Sequence, residues 1–155
     1  MPTRPLIDAG TIARRVAELG QEITEDYRGQ DLVVVPVLKG SYMFAADLVR
    51  QIDLDVAIDF LGVRSYGDQR ESSGVVQITT DLSHSIEGKH VILLEDIVDT
   101  GLTVAYLHQN LTTRQPASLT QERRSPSGPV NRPSTTTATG RPGSCTSRTI
   151  SFSPV

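Results

Sequence analysis

Cysteine is almost missing from this chain: Cys145 stands alone among 155 residues, so no internal disulfide can form and no thiolate cluster can hold a metal ion. A reducing, cytoplasmic setting is the simplest expectation. Long hydrophobic runs are missing too. None approaches the ~20 apolar residues that span a bilayer, and the opening MPTRPLIDAG lacks the apolar stretch of a secretory leader, so no membrane role is expected. Positive charge is not in excess either. A net charge of -3 argues against a general polyanion-binding surface, and nucleic acid is not an expected partner. His84, His90 and His108 show no metal-ligand spacing.

Further scarcities are local. Lysine does not occur after Lys89, Phe152 is the only aromatic residue after Tyr106, and Glu122 is the only acid from Thr112 onward. Thr, Ser, Pro and Arg dominate that stretch, and such a composition buries too little apolar surface to offset its ordering entropy. The expectation is a folded region over 1–119 and a low-complexity, disordered tail over 120–155.

The first region carries clear periodicity. Thr11 reads as a helix N-cap, followed by Ile12, Val16, Leu19 and Ile23 at helical spacing up to the region of Tyr27. DLVVVPVL, 31 to 38, is a continuous β-branched run of the kind found in strands covered on both faces, with Pro36 removing one ladder hydrogen bond. Ser41 to Ile52 returns to helical spacing. Ala57 to Val63 and Val75 to Thr80 read as strands separated by a polar loop, His90 to Leu94 as another buried strand, and Thr103 to Leu111 as a helix. Strands alternating with helices imply an α/β fold: a mainly parallel sheet flanked by helices.

In such sheets ligands sit beyond the carboxyl ends of the strands. Two turns qualify, LKGS at 38 to 41 and EDIVDTGLT at 95 to 103. In the second, Thr100 and Gly101 enter a helix whose first N–H groups lack intrahelical partners and whose dipole favours an anion. Gly101 lets a phosphate approach the backbone, and the Thr100 and Thr103 hydroxyls can donate to it. Glu95, Asp96 and Asp99 would repel that phosphate unless they faced sugar hydroxyls or a hard cation. A phosphorylated sugar with magnesium satisfies all of these groups. The plainer readings are a solvated acidic loop with a helix cap and, for Lys39 and Gly40, an ordinary strand-to-helix turn.

LLEDIVDTGLT resembles the phosphoribosyl-diphosphate signature of the type I phosphoribosyltransferases, and LKGS together with SYG at 65 to 67 resembles the hypoxanthine/guanine branch. The similarity runs from about Ile12 through Leu119. It implies purine salvage, with phosphoribosyl passing from phosphoribosyl diphosphate to hypoxanthine or guanine. It further implies that Glu95 and Asp96 hold the ribose hydroxyls and Mg2+, and that Asp99 is the general base at the purine. Thr100, Gly101 and Thr103 would bind the 5'-phosphate, Lys39 and Gly40 the diphosphate, and Ser65 and Tyr66 would begin a flexible loop closing over the reacting centre. Homo-oligomers are common in the family.

Beyond Leu119 the resemblance ends. The family's purine-reading lysine, its base-stacking aromatic residue and a late aspartate have no counterpart, so the expectation there is an aberrant, frameshifted continuation. Besides an enzyme, the residues are compatible with a non-catalytic phosphoribosyl-diphosphate-binding regulator or an inactive product of such an enzyme.

Overall fold

The computed structural model describes residues 8–66, 75–95, 102–123 and 149–150. The chain runs α1 (Ala9–Asp26), β1 (Leu32–Leu38), α2 (Tyr42–Val49), β2 (Val56–Ile58), β3 (Leu61–Tyr66), β4 (Val75–Thr80), β5 (His90–Glu95), α3 (Leu102–Thr112), β6 (Ser118–Arg123) and β7 (Thr149–Ile150). The strands form one sheet in the order β4-β3-β1-β5-β6-β7, with β2 also paired to β1. All pairings are parallel except that of β3 with β4. The expected mainly parallel α/β sheet is therefore the observed one.

β1 and β5 lie at its centre, and their alternation divides the core. Leu32, Val34, Ile92 and Leu94 pack on one face against Val16, Leu19 and Ile23 of α1 and Phe44, Ala45 and Leu48 of α2. Val33, Val35, Val37, Val91 and Leu93 pack on the other against Leu107 and Leu111 of α3. Apolar side chains on both faces explain why these strands read as unbroken hydrophobic runs. Among the described residues, no helix is long and apolar enough to cross a membrane.

Three local features differ from the sequence reading. The N-cap of α1 is Asp8 rather than Thr11: the Asp8 carboxylate accepts the Thr11 N–H at 2.9 Å and the Thr11 hydroxyl at 2.8 Å. An acidic cap three residues upstream satisfies an orphan N–H and favours the helix dipole, so Thr11 is drawn into the first turn. The run from Ala57 to Val63 is two strands rather than one. It breaks at Asp59, whose buried carboxylate accepts the N–H groups of Phe60 at 2.9 Å, Ser83 at 2.8 Å and His84 at 3.0 Å. Finally, β6, Ser118–Arg123, is a strand that the sequence reading did not place. Leu119 is fully buried there, and the Thr120 hydroxyl lies 3.0 Å from that of Tyr27 at the end of α1. His90 packs edge-on to Tyr27 and places Nδ1 2.8 Å from the Ser118 hydroxyl.

α1 meets the turn after α2 at Gly20, where an added Cβ would collide with Gln51 Cβ and lie 2.7 Å from its carbonyl oxygen. Next to it, the Thr24 hydroxyl donates to the Gly20 carbonyl at 2.7 Å and accepts the Asp53 N–H at 3.0 Å. In an open helix, Gly20→Ala would add about 1 kcal/mol of stability. Here the clash with backbone reverses the sign, and the substitution should cost roughly 1–3 kcal/mol in urea unfolding.

Asp59 has a pH signature. Burial pushes its carboxyl up, but the N–H groups of Phe60, His84 and Ser83 and the nearby His84 ring outweigh that and hold it below the ordinary 3.8. A carboxyl lowered in the folded state contributes stability that is present above its unfolded value and lost as pH falls through its folded one. The stability gap between the native chain and Asp59→Asn should accordingly be widest near neutrality and shrink below about pH 5, as measured by urea unfolding across that range.

Candidate functional site

The two crossovers from the central strands diverge. β1 leads through α2 to β2 and β3 on one side of the sheet, while β5 leads through α3 to β6 on the other, with the two helices on opposite faces. The crevice beyond the carboxyl ends of β1 and β5 is therefore a topological switch point, the place where open α/β sheets bind ligands. Pro36 pairs with Leu94, so Val37 lies level with Glu95, and the turn after β1 opens beside the carboxyl end of β5. Neighbouring strands are about 4.8 Å apart, which sets the Lys39–Gly40 turn close to Glu95 at the end of β5.

The first turn is built around Ser41 rather than Lys39. Ser41 is fully buried, its hydroxyl donates to the Val37 carbonyl at 2.6 Å, and its own carbonyl accepts the Ala45 N–H at 2.9 Å. That internal tie ends β1 and starts α2, and it leaves Lys39 and Gly40 at the surface of the crevice. The Leu38–Lys39 peptide bond is cis. Sequence reasoning missed the part played by Ser41, although a small hydroxyl closing an apolar strand was the available signal.

On the other strand Glu95 closes β5 with only 6% of its surface exposed. Thr103 is half-buried in the first turn of α3. Asp96, Asp99, Thr100 and Gly101 lie outside the described residues. Ser65 and Tyr66 are the last residues of β3. That strand pairs with β1 through Val37↔Leu61 and Leu38↔Gly62 and then continues past the same carboxyl edge. Lys39, Gly40, Glu95 and the backbone of Ser65 and Tyr66 thus belong to neighbouring strands at one edge.

No group of three or more His, Cys, Asp or Glu side chains among the described residues could hold a metal ion. Glu95 offers one hard oxygen donor, and Asp96 follows it in sequence. Magnesium is typically held by one or two carboxylates, with substrate oxygens and water completing its shell, and this donor set fits that pattern.

An edge of this architecture, with an exposed lysine turn beside a buried acid at a topological switch point, is that of an α/β domain built to bind a ligand at the carboxyl ends of its strands. The comparison with known proteins makes the class definite. Residues 6–120 match the phosphoribosyl transferase domain, and the chain belongs to that family. A hypoxanthine-guanine phosphoribosyltransferase of Mycobacterium avium is 48% identical over 120 residues, which cover 74% of this chain and 59% of that protein. One from Dictyostelium discoideum is 50% identical over 112 residues, covering 70% and 62%. The chain therefore spans about three fifths of the length of these relatives. Among solved structures, a hypoxanthine-guanine phosphoribosyltransferase of Bacillus anthracis superposes with a TM-score of 0.73 at 40% identity, covering 80% of this chain and 73% of that one. A hypoxanthine phosphoribosyltransferase of Trypanosoma cruzi, solved as a ternary substrates complex, gives 0.68 at 42%, covering 74% and 67%.

Proposed function

We propose that the site transfers 5-phosphoribosyl from phosphoribosyl diphosphate to hypoxanthine or guanine, giving IMP or GMP and diphosphate, in cytoplasmic purine salvage. The observation that carries this reading is the meeting of the Lys39–Gly40 turn and Glu95 at the switch point of a chain about half identical to proteins of that name.

The assignments follow the chemistry. As the bond from C1 of the ribose to diphosphate breaks, its electron pair leaves with diphosphate and positive charge builds on the sugar. Lys39 and the Gly40 backbone would hold the departing anion, a stabilisation worth most where water is excluded. Glu95 and Asp96 would hold the ribose hydroxyls and Mg2+, which when bound supplies charge neutralisation at the diphosphate. Thr100, Gly101 and Thr103 would anchor the 5'-phosphate at the start of α3. A purine ring nitrogen attacks C1 while Asp99 accepts a purine proton. Ser65 and Tyr66 would border the centre from β3. The partners on this reading are phosphoribosyl diphosphate, a 6-oxopurine and further copies of the chain, with no nucleic acid or membrane.

A second reading is favoured by one observation: a change of character inside β6. Leu119 and Thr120 are buried, but the next residues are Gln121 and Glu122, paired in register with the fully buried Leu93 and Leu94. A strand flanked on both sides in a parallel sheet is expected to stay apolar. On this reading the family's own sequence ends at about Leu119–Thr120, and 120–155 is an aberrant continuation that leaves the product inactive.

Each reading has its own test. In a magnesium-dependent assay of nucleotide formation from phosphoribosyl diphosphate and hypoxanthine, Asp99→Asn should lower kcat by roughly 10²–10⁴-fold. Unchanged turnover would remove Asp99 as the base, and binding of phosphoribosyl diphosphate without turnover in the native chain would favour a regulator or an inactive product. For the second reading, one alternative frame of the coding DNA beyond about codon 120 should encode an apolar strand and further α/β elements. If neither frame does so, that reading is lost.

A further inference from the structure

β3 and β4 form an unusual pair within this sheet. β3 is paired with β1 at Leu61 and Gly62, and from Val63 to Tyr66 its ladder partner among the described residues is β4, opposite Val75 to Ile78, with Val63 and Ile78 packed against the core at its root. This part is a two-stranded ribbon that projects beyond the carboxyl edge of β1. Its root is a register irregularity at Gly62/Val63. A Cβ on Gly62 would lie 2.8 Å from the Thr79 hydroxyl and 2.9 Å from that of Thr80, so the two strands are in close contact there.

Asp59 sits at the foot of this ribbon and grips both of its legs. Its carboxylate accepts the Phe60 N–H just before β3 and the Ser83 and His84 N–H groups just after β4. Its own N–H donates to the Val34 carbonyl at 3.1 Å, which fixes the clip to the middle of β1. The far leg is also tied to α3, since Arg114 forms an ion pair with Asp81 at 2.8 Å and donates to Asn110 at 2.9 Å. The His84 ring is a minor partner, 3.6 Å from the carboxylate and largely exposed.

We propose that Asp59 is the positioning residue of the ribbon: by joining the corner before β3 to the turn after β4, it sets the angle at which the ribbon carries Ser65 and Tyr66 past the site. The mechanical argument is leverage. Tyr66 lies four residues beyond Gly62, about 13 Å along the strand, so a tilt of about 10° at the clip displaces it by about 2 Å. Misplacements of about 1 Å near a reacting centre can cost on the order of 10²-fold in rate. An ionised carboxylate suits the task because charge-assisted hydrogen bonds from backbone N–H groups are short and strong. The catalytic part of this proposal rests on the phosphoribosyl-transfer reading; the mechanical part does not.

Amide hydrogen exchange on the full chain tests the clip directly. In Asp59→Asn, exchange over 61–66 and 75–80 should accelerate about tenfold or more, while β1 and β5 keep their protection within about twofold. Asp59→Glu, which keeps the charge, should show a smaller change in the same strands and decides the question if the asparagine variant does not fold. His84→Ala should change ribbon exchange by less than about twofold, because it removes a minor partner and leaves the backbone N–H in place. Unchanged exchange in the ribbon, even acceleration across the whole sheet, or a His84→Ala effect equal to that of Asp59→Asn would overturn the proposal. In turnover, Asp59→Asn should lower kcat about tenfold with KM for phosphoribosyl diphosphate within about twofold. A native chain that forms no nucleotide would refute the proposed activity and leave the exchange pattern to judge the clip.

Discussion

The pairing of β1 with β5 is the constraint from which the rest of the molecule follows. These neighbours, in register from Leu32↔His90 to Pro36↔Leu94, are covered on both faces, and every helix in the described structure packs onto them. Burial of this kind is worth roughly 1.5–3 kcal/mol per large side chain before entropy is subtracted. It also fixes the polarity of the sheet: once β1 and β5 run parallel, their carboxyl ends lie at the same edge. The site is in that sense a by-product of the core. Lys39, Gly40 and Glu95 need no contact with one another to be neighbours, because buried aliphatic residues one strand-length away have already aligned them.

Around this centre, polar groups do what apolar packing cannot, which is to end elements at defined residues. Ser41 ends β1 by bonding back to Val37; Asp59 ends β2 and begins β3; Thr24 joins α1 to the exit of α2. Each is buried, and each is hydrogen-bonded to backbone within the fold. A buried polar group without a partner would cost more than the bond it makes is worth, so these residues stabilise one geometry chiefly by penalising the others.

Legibility in the sequence followed the same division. The α/β class, the central strands and the helices were readable because double-sided burial writes itself as β-branched runs and helical spacing, as in VVVPV and in Ile12 through Ile23. The phosphoribosyl signature was readable because acids, threonines and a glycine follow such a run within a few positions of sequence. The role of Asp59 was not readable, since it depends on which distant backbone N–H groups meet it: Asp59 answers to Ser83 and His84, 24 and 25 positions away. The strand break at Asp59 was hidden for the same reason, as VAIDFLGV by itself looks continuous. β6 was obscured because only Leu119 and Thr120 carry the pattern of a covered strand before polar residues take over.

The hydroxyl pair formed by Tyr27 and Thr120 spans 93 positions of chain, and His90 and Ser118 meet directly beside it. During synthesis the first helix and the strand beside it leave the ribosome early, yet the end of that helix cannot reach its final partners until β6 has followed. Non-local closure of this kind makes folding slow relative to chains held by nearby contacts. The β5 edge of the central pair is covered only when β6, with the buried Leu119, pairs onto it.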